Sequence, residues 1–228
     1  MYHQFSKFLP YGISLALGFS LILGSCSDSK KSATPAYSTK IQKIVPDSII
    51  KSLTDKGMSL NPGVNPPSVA GIYAASPYTL LANFGPEDGW KPGKVIPDYR
   101  YKLYEQKGDE VKIDYKNTGT DTGSGIGGFL SGSGKKFSLF AELSGTASGI
   151  PYKHLTVISG EMESTGIKNF QYAFVMKEKT GDASNSILIG TGKSRIWIDG
   201  DSLASKVETF RQAFLESQGL VESIGGIK

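Results

Sequence analysis

Apolar and polar residues alternate along much of the chain, which is the period-two pattern of strands with one buried face. The clearest example is a hairpin. Residues 99–103 (YRYKL) place large apolar side chains on one face, a turn follows at Gly108-Asp109, and residues 111–116 (VKIDYK) repeat the alternation. Short alternating runs on either side of a glycine-containing turn are typical of a β-hairpin.

The same pattern predicts further strands on both sides of this hairpin. Glycine-rich turns separate most of them, so consecutive strands are expected to pair with each other in antiparallel fashion. The other predicted strands are residues 69–73, 78–84, 127–130, 136–143, 152–162, 167–177, 187–189 and 195–198.

These strands predict an all-β, mainly antiparallel fold. An up-and-down meander of eight or nine strands removes its exposed edges by closing into a barrel, and a β-sandwich is the alternative. One face of each strand would then line the interior. The residues predicted to line it are Tyr101, Leu103, Val111, Ile113, Phe137, Leu139, Tyr172 and Phe174.

Helices are predicted at the two ends of the strand region. In residues 47–56, Asp47 can cap a helix whose apolar stripe includes Leu53. Residues 201–217 have helical spacing, with extension of the sheet through 206–210 as the competing interpretation. Long loops are expected at residues 85–98 and at residues 117–125, the second of them mobile.

The N-terminal region has the pattern of an export signal. A polar start with Lys7 precedes the uncharged, mostly apolar run Ile13 to Leu23, which is too short to span a bilayer. Residues 26–45 are rich in Ser, Lys, Thr and Ala and predict a flexible tether. We therefore expect a signal peptide at residues 1–25, a tether at 26–45 and a single β-rich domain at 46–228.

Residues 23–26 (LGSC) resemble the lipobox of bacterial lipoproteins, because small residues and a cysteine follow the apolar run and a polar stretch comes next. The resemblance implies cleavage between Ser25 and Cys26 and lipidation of the Cys26 thiol. Two or three acyl chains hold a protein stably on a membrane. The expected location is the bacterial cell envelope, at the outer membrane. A plain secretory signal is the alternative.

Residues 65–73 (NPPSVAGIY) resemble the start of the first strand in the lipocalin-like lipoproteins of Bacteroidota, in which a glycine stands two positions before an aromatic residue. Here Gly71 and Tyr73 occupy those positions, although lipocalins usually have tryptophan at the second. The predicted meander with a C-terminal helix is the second point of similarity. The resemblance implies a barrel that carries a small apolar molecule.

Charge and chemistry limit the function classes. The formal net charge is +4 without a Lys/Arg cluster, so nucleic acid is not an expected partner, and one cysteine allows no disulfide within the chain. The candidate chemical residues are His154 and the pair Glu161 and Glu163, and none has a motif around it. Residues 199–201 (DGD) begin like a calcium loop but lack its later ligands. No catalytic residue, metal ligand or cofactor is predicted.

Three functions remain open from the sequence. The first is a non-enzymatic lipoprotein that binds a small or apolar ligand in its barrel. The second is a structural or interaction lipoprotein, either an accessory to envelope assembly or an adhesin, that acts through loops 85–98 and 117–125, with its protein partner unknown. The third is an exported hydrolase that depends on His154 or on the glutamate pair.

Overall fold

The structure is a computed structural model that describes residues 37–210. Within this range the chain forms two short helices, α1 and α2, followed by eleven strands, β1 to β11, and the all-β prediction is confirmed. The helices are α1 (Thr39–Ile44) and α2 (Asp47–Asp55). The strands are β1 (Gly71–Ala75), β2 (Tyr78–Ala82), β3 (Val95–Ile96), β4 (Tyr99–Lys107), β5 (Glu110–Asn117), β6 (Thr122–Ser133), β7 (Lys136–Ala147), β8 (Ile150–Glu163), β9 (Gly166–Lys179), β10 (Ser194–Asp199) and β11 (Leu203–Lys206).

The strands form a closed ring of hydrogen-bonded antiparallel neighbours. From β4 to β10 every strand pairs with the next one along the chain, as the hairpin turns predict. The pairing then returns to its start, because β11 pairs with both β9 and β1, and β1 pairs with β4. We call this arrangement the strand ring.

At three positions in the sheet, two strands lie end to end where one long strand could lie. These pairs are β10 with β11, β2 with β1, and β3 with β4. The long strand β9 pairs with β10 through residues 171–175 and with β11 through residues 166–168, so β10 and β11 lie end to end along one edge. Their partners on the other side are β2 and β1, in the same order. Those two strands in turn pair with β3 and β4.

A glycine is required where the ring closes. Gly166 has φ 157°, and a Cβ atom at this position would lie 2.3 Å from the carbonyl oxygen of Ala204 in β11. The absence of a side chain therefore allows the two backbones to approach closely enough to pair.

Two clusters of buried side chains lie on opposite faces of the strands. The interior cluster contains large aromatic and aliphatic side chains from all around the ring, including Tyr101, Phe137 and Phe170. The outer cluster contains Phe140 and Val157 and is covered by residues of the two helices. Strands β7 to β10 are therefore buried on both faces, which explains why Phe140 interrupts the alternation of apolar and polar residues in the strand predicted at residues 136–143.

Ordered structure begins earlier than the tether prediction of residues 26–45 allowed. Helix α1 lies inside the predicted tether, and both Ile41 and Val45 are fully buried in the outer cluster. The hydroxyl oxygen of Ser38 accepts a hydrogen bond of 3.4 Å from the Ile41 N–H and caps the helix. Because Ser38 and Ile41 stand in a stretch dominated by small and charged residues, the sequence pattern did not reveal the helix.

Helix α2 confirms the helix predicted at residues 47–56, with one change at its start. Leu53 is buried, as its position in the apolar stripe required. The N-cap residue is Pro46, whose side chain can neither donate nor accept a hydrogen bond. Asp47 lies instead in the first turn of the helix. A negative charge there still interacts favourably with the helix dipole. No helix within residues 37–210 has the length and apolar character needed to cross a bilayer.

Two predictions near the C-terminus are wrong within the described range. Residues 187–189 are not a strand but part of the loop between β9 and β10. The predicted helix at 201–217 is absent over 201–210, where strand β11 forms instead, so the competing sheet interpretation was closer, although the strand lies at 203–206. Pairing with β1 and β9 outweighs the helical spacing. Residues 211–217 lie outside the described residues.

Candidate functional site

A pocket opens at one end of the strand ring, which we call the loop-end pocket. It lies where β4, β6, β8 and β10 begin, beside the loops that follow β2, β5, β7 and β9. Its volume is about 240 Å³. A concave site with apolar walls and a few convergent polar groups is the usual form of a small-molecule site.

Seven aromatic side chains line the pocket. They include both tryptophans of the chain, together with four tyrosines and one phenylalanine. These residues are Tyr78, Trp90, Tyr99, Tyr152, Tyr172, Phe174 and Trp197. Tyr78 and Trp197 stack almost in parallel, with ring centroids 5.4 Å apart, so the wall is held in place by its own contacts.

The eight residues predicted to line the interior all lie in or against the interior cluster. Only Tyr172 and Phe174 reach the loop-end pocket. The other six, from β4, β5 and β7, fill the ring beneath it. Within residues 37–210, these large side chains occupy the interior below the loop-end pocket.

A single carboxylate lies at the centre of the polar groups. The Tyr99 hydroxyl donates a hydrogen bond of 2.5 Å to Oδ2 of Asp121, and the Tyr152 hydroxyl donates to Oδ1 of the same side chain. The Tyr115 hydroxyl lies 3.5 Å from Oδ1 and contacts the Tyr152 oxygen as well. Since Tyr152 uses its proton on Asp121, the single Tyr115 proton is shared between the Tyr152 oxygen and Oδ1 of Asp121. All three hydroxyl groups thus direct protons toward Asp121.

Burial changes the acid–base properties of this group of side chains. It raises the pKa of Asp121 above its ordinary value, although the hydrogen bonds from Tyr152, Tyr99 and Tyr115 act in the opposite direction. Burial also raises the pKa of Tyr99 and of Tyr152, and the neighbouring Asp121 adds to that effect. The tyrosines therefore stay neutral and remain hydrogen-bond donors.

The loop after β5 places Asp121 through its own hydrogen bonds. The side-chain oxygen of Asn117 accepts hydrogen bonds from the N–H groups of Gly119 (2.8 Å) and Asp121 (3.0 Å). The Asn117 N–H in turn donates to the Asp121 carbonyl oxygen. Such a turn around an asparagine side chain is a local device that the sequence can encode by itself.

A buried ion pair fixes the loop after β2 against the pocket. Arg195 of β10 donates two hydrogen bonds to the carboxylate of Asp88, at 2.9 and 2.6 Å. The same carboxylate accepts from the N–H groups of Phe84 and Trp90. The guanidinium carbon of Arg195 also lies 4.0 Å from the ring centroid of Trp90. Trp90 is thus held at the mouth of the pocket from two directions.

A second buried aspartate organises the loop after β9. Asp182 accepts hydrogen bonds from the N–H groups of Ser186 and Leu188, both at 2.9 Å, and from Nζ of Lys179 at 2.7 Å. These contacts hold its pKa well below the ordinary value. This loop contributes residues 187–189 to the pocket, so the stretch predicted as a strand instead forms part of the rim.

The residues of the hydrolase hypothesis do not form a catalytic group. His154 is completely buried in the interior, and burial lowers its pKa to about 3, so the imidazole is neutral. Its Nε2 lies 3.3 Å from the Tyr172 hydroxyl, and its Nδ1 has no hydrogen-bond partner among the described residues. Glu163 pairs with Lys168 near the far end of β8, and Glu161 lies beside a separate polar depression on the sheet.

Nothing in residues 37–210 brings together three His, Cys, Asp or Glu side chains that could hold a metal ion. Asp199 of the DGD sequence is buried and accepts a hydrogen bond from the Ser76 N–H at 2.9 Å. Asp201 accepts from the Leu203 N–H at 2.9 Å, and the segment forms a turn between β10 and β11. The predicted lipidation and cleavage residues, Cys26 and Ser25, lie outside the described residues.

Comparison with models of protein families, with curated proteins and with solved structures gives no match to this chain. The class of the protein therefore rests on its own architecture, an all-β ring of antiparallel strands with an aromatic pocket at one end.

Sequence reasoning missed the polar residues of the pocket. Asp121 lies in a stretch expected to be a mobile loop, and Asp88 lies in a stretch expected to be a plain loop. An asparagine such as Asn117 at the start of a Gly/Thr-rich segment is a local signal for a turn, and it was the signal available for this loop. No local signal links Asp88 to Arg195, because they are 107 positions apart.

Proposed function

We propose that this chain is a lipid-anchored protein of the bacterial envelope whose strand ring is a lipocalin-like barrel, and that it binds a small, largely apolar molecule in the loop-end pocket. The observation that carries the proposal is the pocket itself, where aromatic walls surround the group of hydroxyls at Asp121. Its loops are fixed by Asp88 and Asp182. Because these contacts hold the loops in place before a ligand binds, little of the binding free energy is lost in ordering them.

The strand order supports the barrel part of the proposal. Following the hydrogen bonds from β1 through β4 to β9 and then through β11 returns to β1, and every pairing is antiparallel. A barrel of about eight strands is just wide enough to be filled by side chains or to hold one small ligand. This chain combines both features, since the interior is filled below and open at the loop end.

The membrane part of the proposal rests on the sequence. The apolar run Ile13 to Leu23 and the LGSC segment that ends at Cys26 are the features that support an anchor. Because helix α1 begins at Thr39, twelve residues separate it from the predicted anchor at Cys26. This is shorter than the sequence suggested and would keep the ring close to the membrane.

Replacement of Cys26 tests the anchor. The full chain should partition into the membrane fraction, and its N-terminal peptide should carry the mass of acyl chains on Cys26. Cys26→Ala should abolish that mass and release the protein from the membrane. A wild-type protein that is found soluble with an unmodified thiol would contradict the anchor and leave the pocket proposal standing.

A pair of neighbouring substitutions tests the pocket. Ala147 lines it, whereas Thr146 faces a different surface of the sheet. Ala147→Phe should fill part of the cavity and weaken binding of a small neutral probe, phenethyl alcohol, by about tenfold or more. Thr146→Phe adds the same side chain and should leave the affinity unchanged. Calorimetric titration of both variants and of the wild type measures the effect, and equal affinities would exclude this pocket as the binding site.

A further inference from the structure

The carboxylate of Asp121 lacks a cationic partner in the protein. None of the Lys, Arg or His side chains within residues 37–210 forms an ion pair with it, and its partners are the hydroxyls of Tyr99, Tyr115 and Tyr152. Removing a charge from water is costly unless it is paired. A carboxylate has about four lone-pair sites, so acceptor capacity remains for one further donor.

Among the residues that the structure describes, Arg195 is the one cation that lines the pocket, and it already has a partner. Arg195 forms its two hydrogen bonds with Asp88, whose side chain is fully buried, and it lies against Trp90. The positive charge of the guanidinium is therefore balanced by the carboxylate of Asp88. Asp121 is left as the uncompensated charge of the pocket.

The walls also favour positive charge. Aromatic faces carry the negative part of the ring quadrupole and attract cations, most strongly at tryptophan and then at tyrosine. Trp197 lines this pocket together with Tyr78 and Tyr99, whereas the Trp90 ring already contacts the Arg195 guanidinium and Nζ of Lys94. Burial raises the pKa of the two tyrosines well above the ordinary value, so both hydroxyls are neutral. The Tyr78 hydroxyl contacts the Tyr101 hydroxyl, and the Tyr99 hydroxyl donates to Asp121.

We propose that the loop-end pocket selects a small organic cation, with a primary ammonium group at Asp121 and an apolar or aromatic body against Trp197 and Phe174. This inference rests on the proposed function and names the ligand class for the same pocket. The cavity of about 240 Å³ corresponds to about eight water molecules of liquid volume, which sets a ligand of about ten non-hydrogen atoms.

Three probes with the same phenyl group and different charge test the selection. We would titrate the purified full chain with phenethylammonium, phenethyl alcohol and 3-phenylpropanoate at neutral pH, using calorimetry and the fluorescence of Trp90 and Trp197. A hydrogen-bonded charge pair in a partly buried site should make the ammonium bind about tenfold to a hundredfold more tightly than the alcohol. The propanoate should bind more weakly than either.

A matched pair of variants assigns the preference to one carboxylate. Asp121→Asn removes the charge with little change in shape and should reduce the preference for ammonium over alcohol to about twofold or less. Asp114→Asn removes a charge from β5, outside the pocket, and should retain the full preference. If Asp121→Asn does not fold, the comparison of the three probes on the wild type still decides the question.

The outcomes separate this inference from the proposed function. Alcohol that binds as tightly as ammonium, or propanoate that binds more tightly, would overturn the selection of cations while the pocket remains a binding site. A preference that persists in Asp121→Asn would also overturn it. If none of the three probes binds at millimolar concentration, the pocket proposal and the cation proposal both fail.

Discussion

Asp88 and Arg195 form a bidentate ion pair between the loop after β2 and strand β10, with N–O distances of 2.9 and 2.6 Å. The carboxylate is fully buried and the guanidinium is 15% exposed. Burial by itself would raise the pKa of Asp88, but the hydrogen bonds from Arg195 and from the N–H groups of Trp90 and Phe84 lower it below its ordinary value. The pair therefore fixes both the loop and one wall of the pocket.

Replacing Asp88 should destabilise the protein strongly. In Asp88→Asn, Arg195 loses its counter-charge in a poorly hydrated position, and we expect a loss of about 3 kcal/mol in the free energy of unfolding. Urea unfolding at pH 7 measures it. The matched control is Asp55→Asn, which breaks an exposed pair with Lys51 and should change stability by less than about 0.5 kcal/mol. Equal effects of the two substitutions would show that the buried pair has no special role.

The same ion pair predicts the direction of acid sensitivity. Because the pKa of Asp88 is lower in the folded than in the unfolded protein, its contribution is present at neutral pH and is lost as the pH falls through the folded pKa. Asp182 adds a contribution of the same sign. Asp88→Asn should therefore lose less stability on acidification below pH 4 than the wild type does. A steeper loss in the variant would contradict the assignment.

His154 predicts a second pH dependence at milder acidity. Burial lowers its folded pKa to about 3, while the unfolded chain binds a proton near pH 6.5. The stability that comes from the neutral histidine is present above pH 6.5 and is lost as the pH falls, by about 2 kcal/mol between pH 7 and pH 5. His154→Phe removes the titrating group, so the difference between its unfolding free energies at pH 7 and pH 5 should be smaller by that amount. Urea unfolding of both proteins at the two pH values measures it.

Helix α1 should stabilise the fold although it lies in the predicted tether. Ile41 is fully buried in the outer cluster, so Ile41→Ala should reduce the free energy of unfolding by about 3 kcal/mol. Gln42 is the adjacent exposed residue, and Gln42→Ala should change it by less than about 0.5 kcal/mol. Thermal or urea unfolding distinguishes the two cases. If Ile41→Ala has no effect, residues 39–45 behave as a tether after all.

Local pattern was sufficient for most of the strands and for helix α2. In the β4–β5 hairpin, Tyr101 and Leu103 alternate with basic residues, and both lie in the interior cluster. The period-two rule works there because each strand buries one face, so the pattern of one strand needs no knowledge of its neighbours. The period-two rule fails at residues 187–189. This short apolar run does not pair with a strand but forms part of the pocket rim, in a loop that is hydrogen-bonded to the buried Asp182.

By itself, the sequence determined the all-β class, the order of the hairpins and eight of the large side chains that face the interior, because these follow from periodicity and turn chemistry within short segments. Only the tertiary structure decided where the ring closes, which strand replaces the expected C-terminal helix, and which polar groups meet in the pocket. Asp88 contacts Arg195, and Asp121 contacts Tyr152, only when strands that are distant in the sequence become neighbours in the fold. Such contacts depend on long-range pairing energies that no short window of sequence contains.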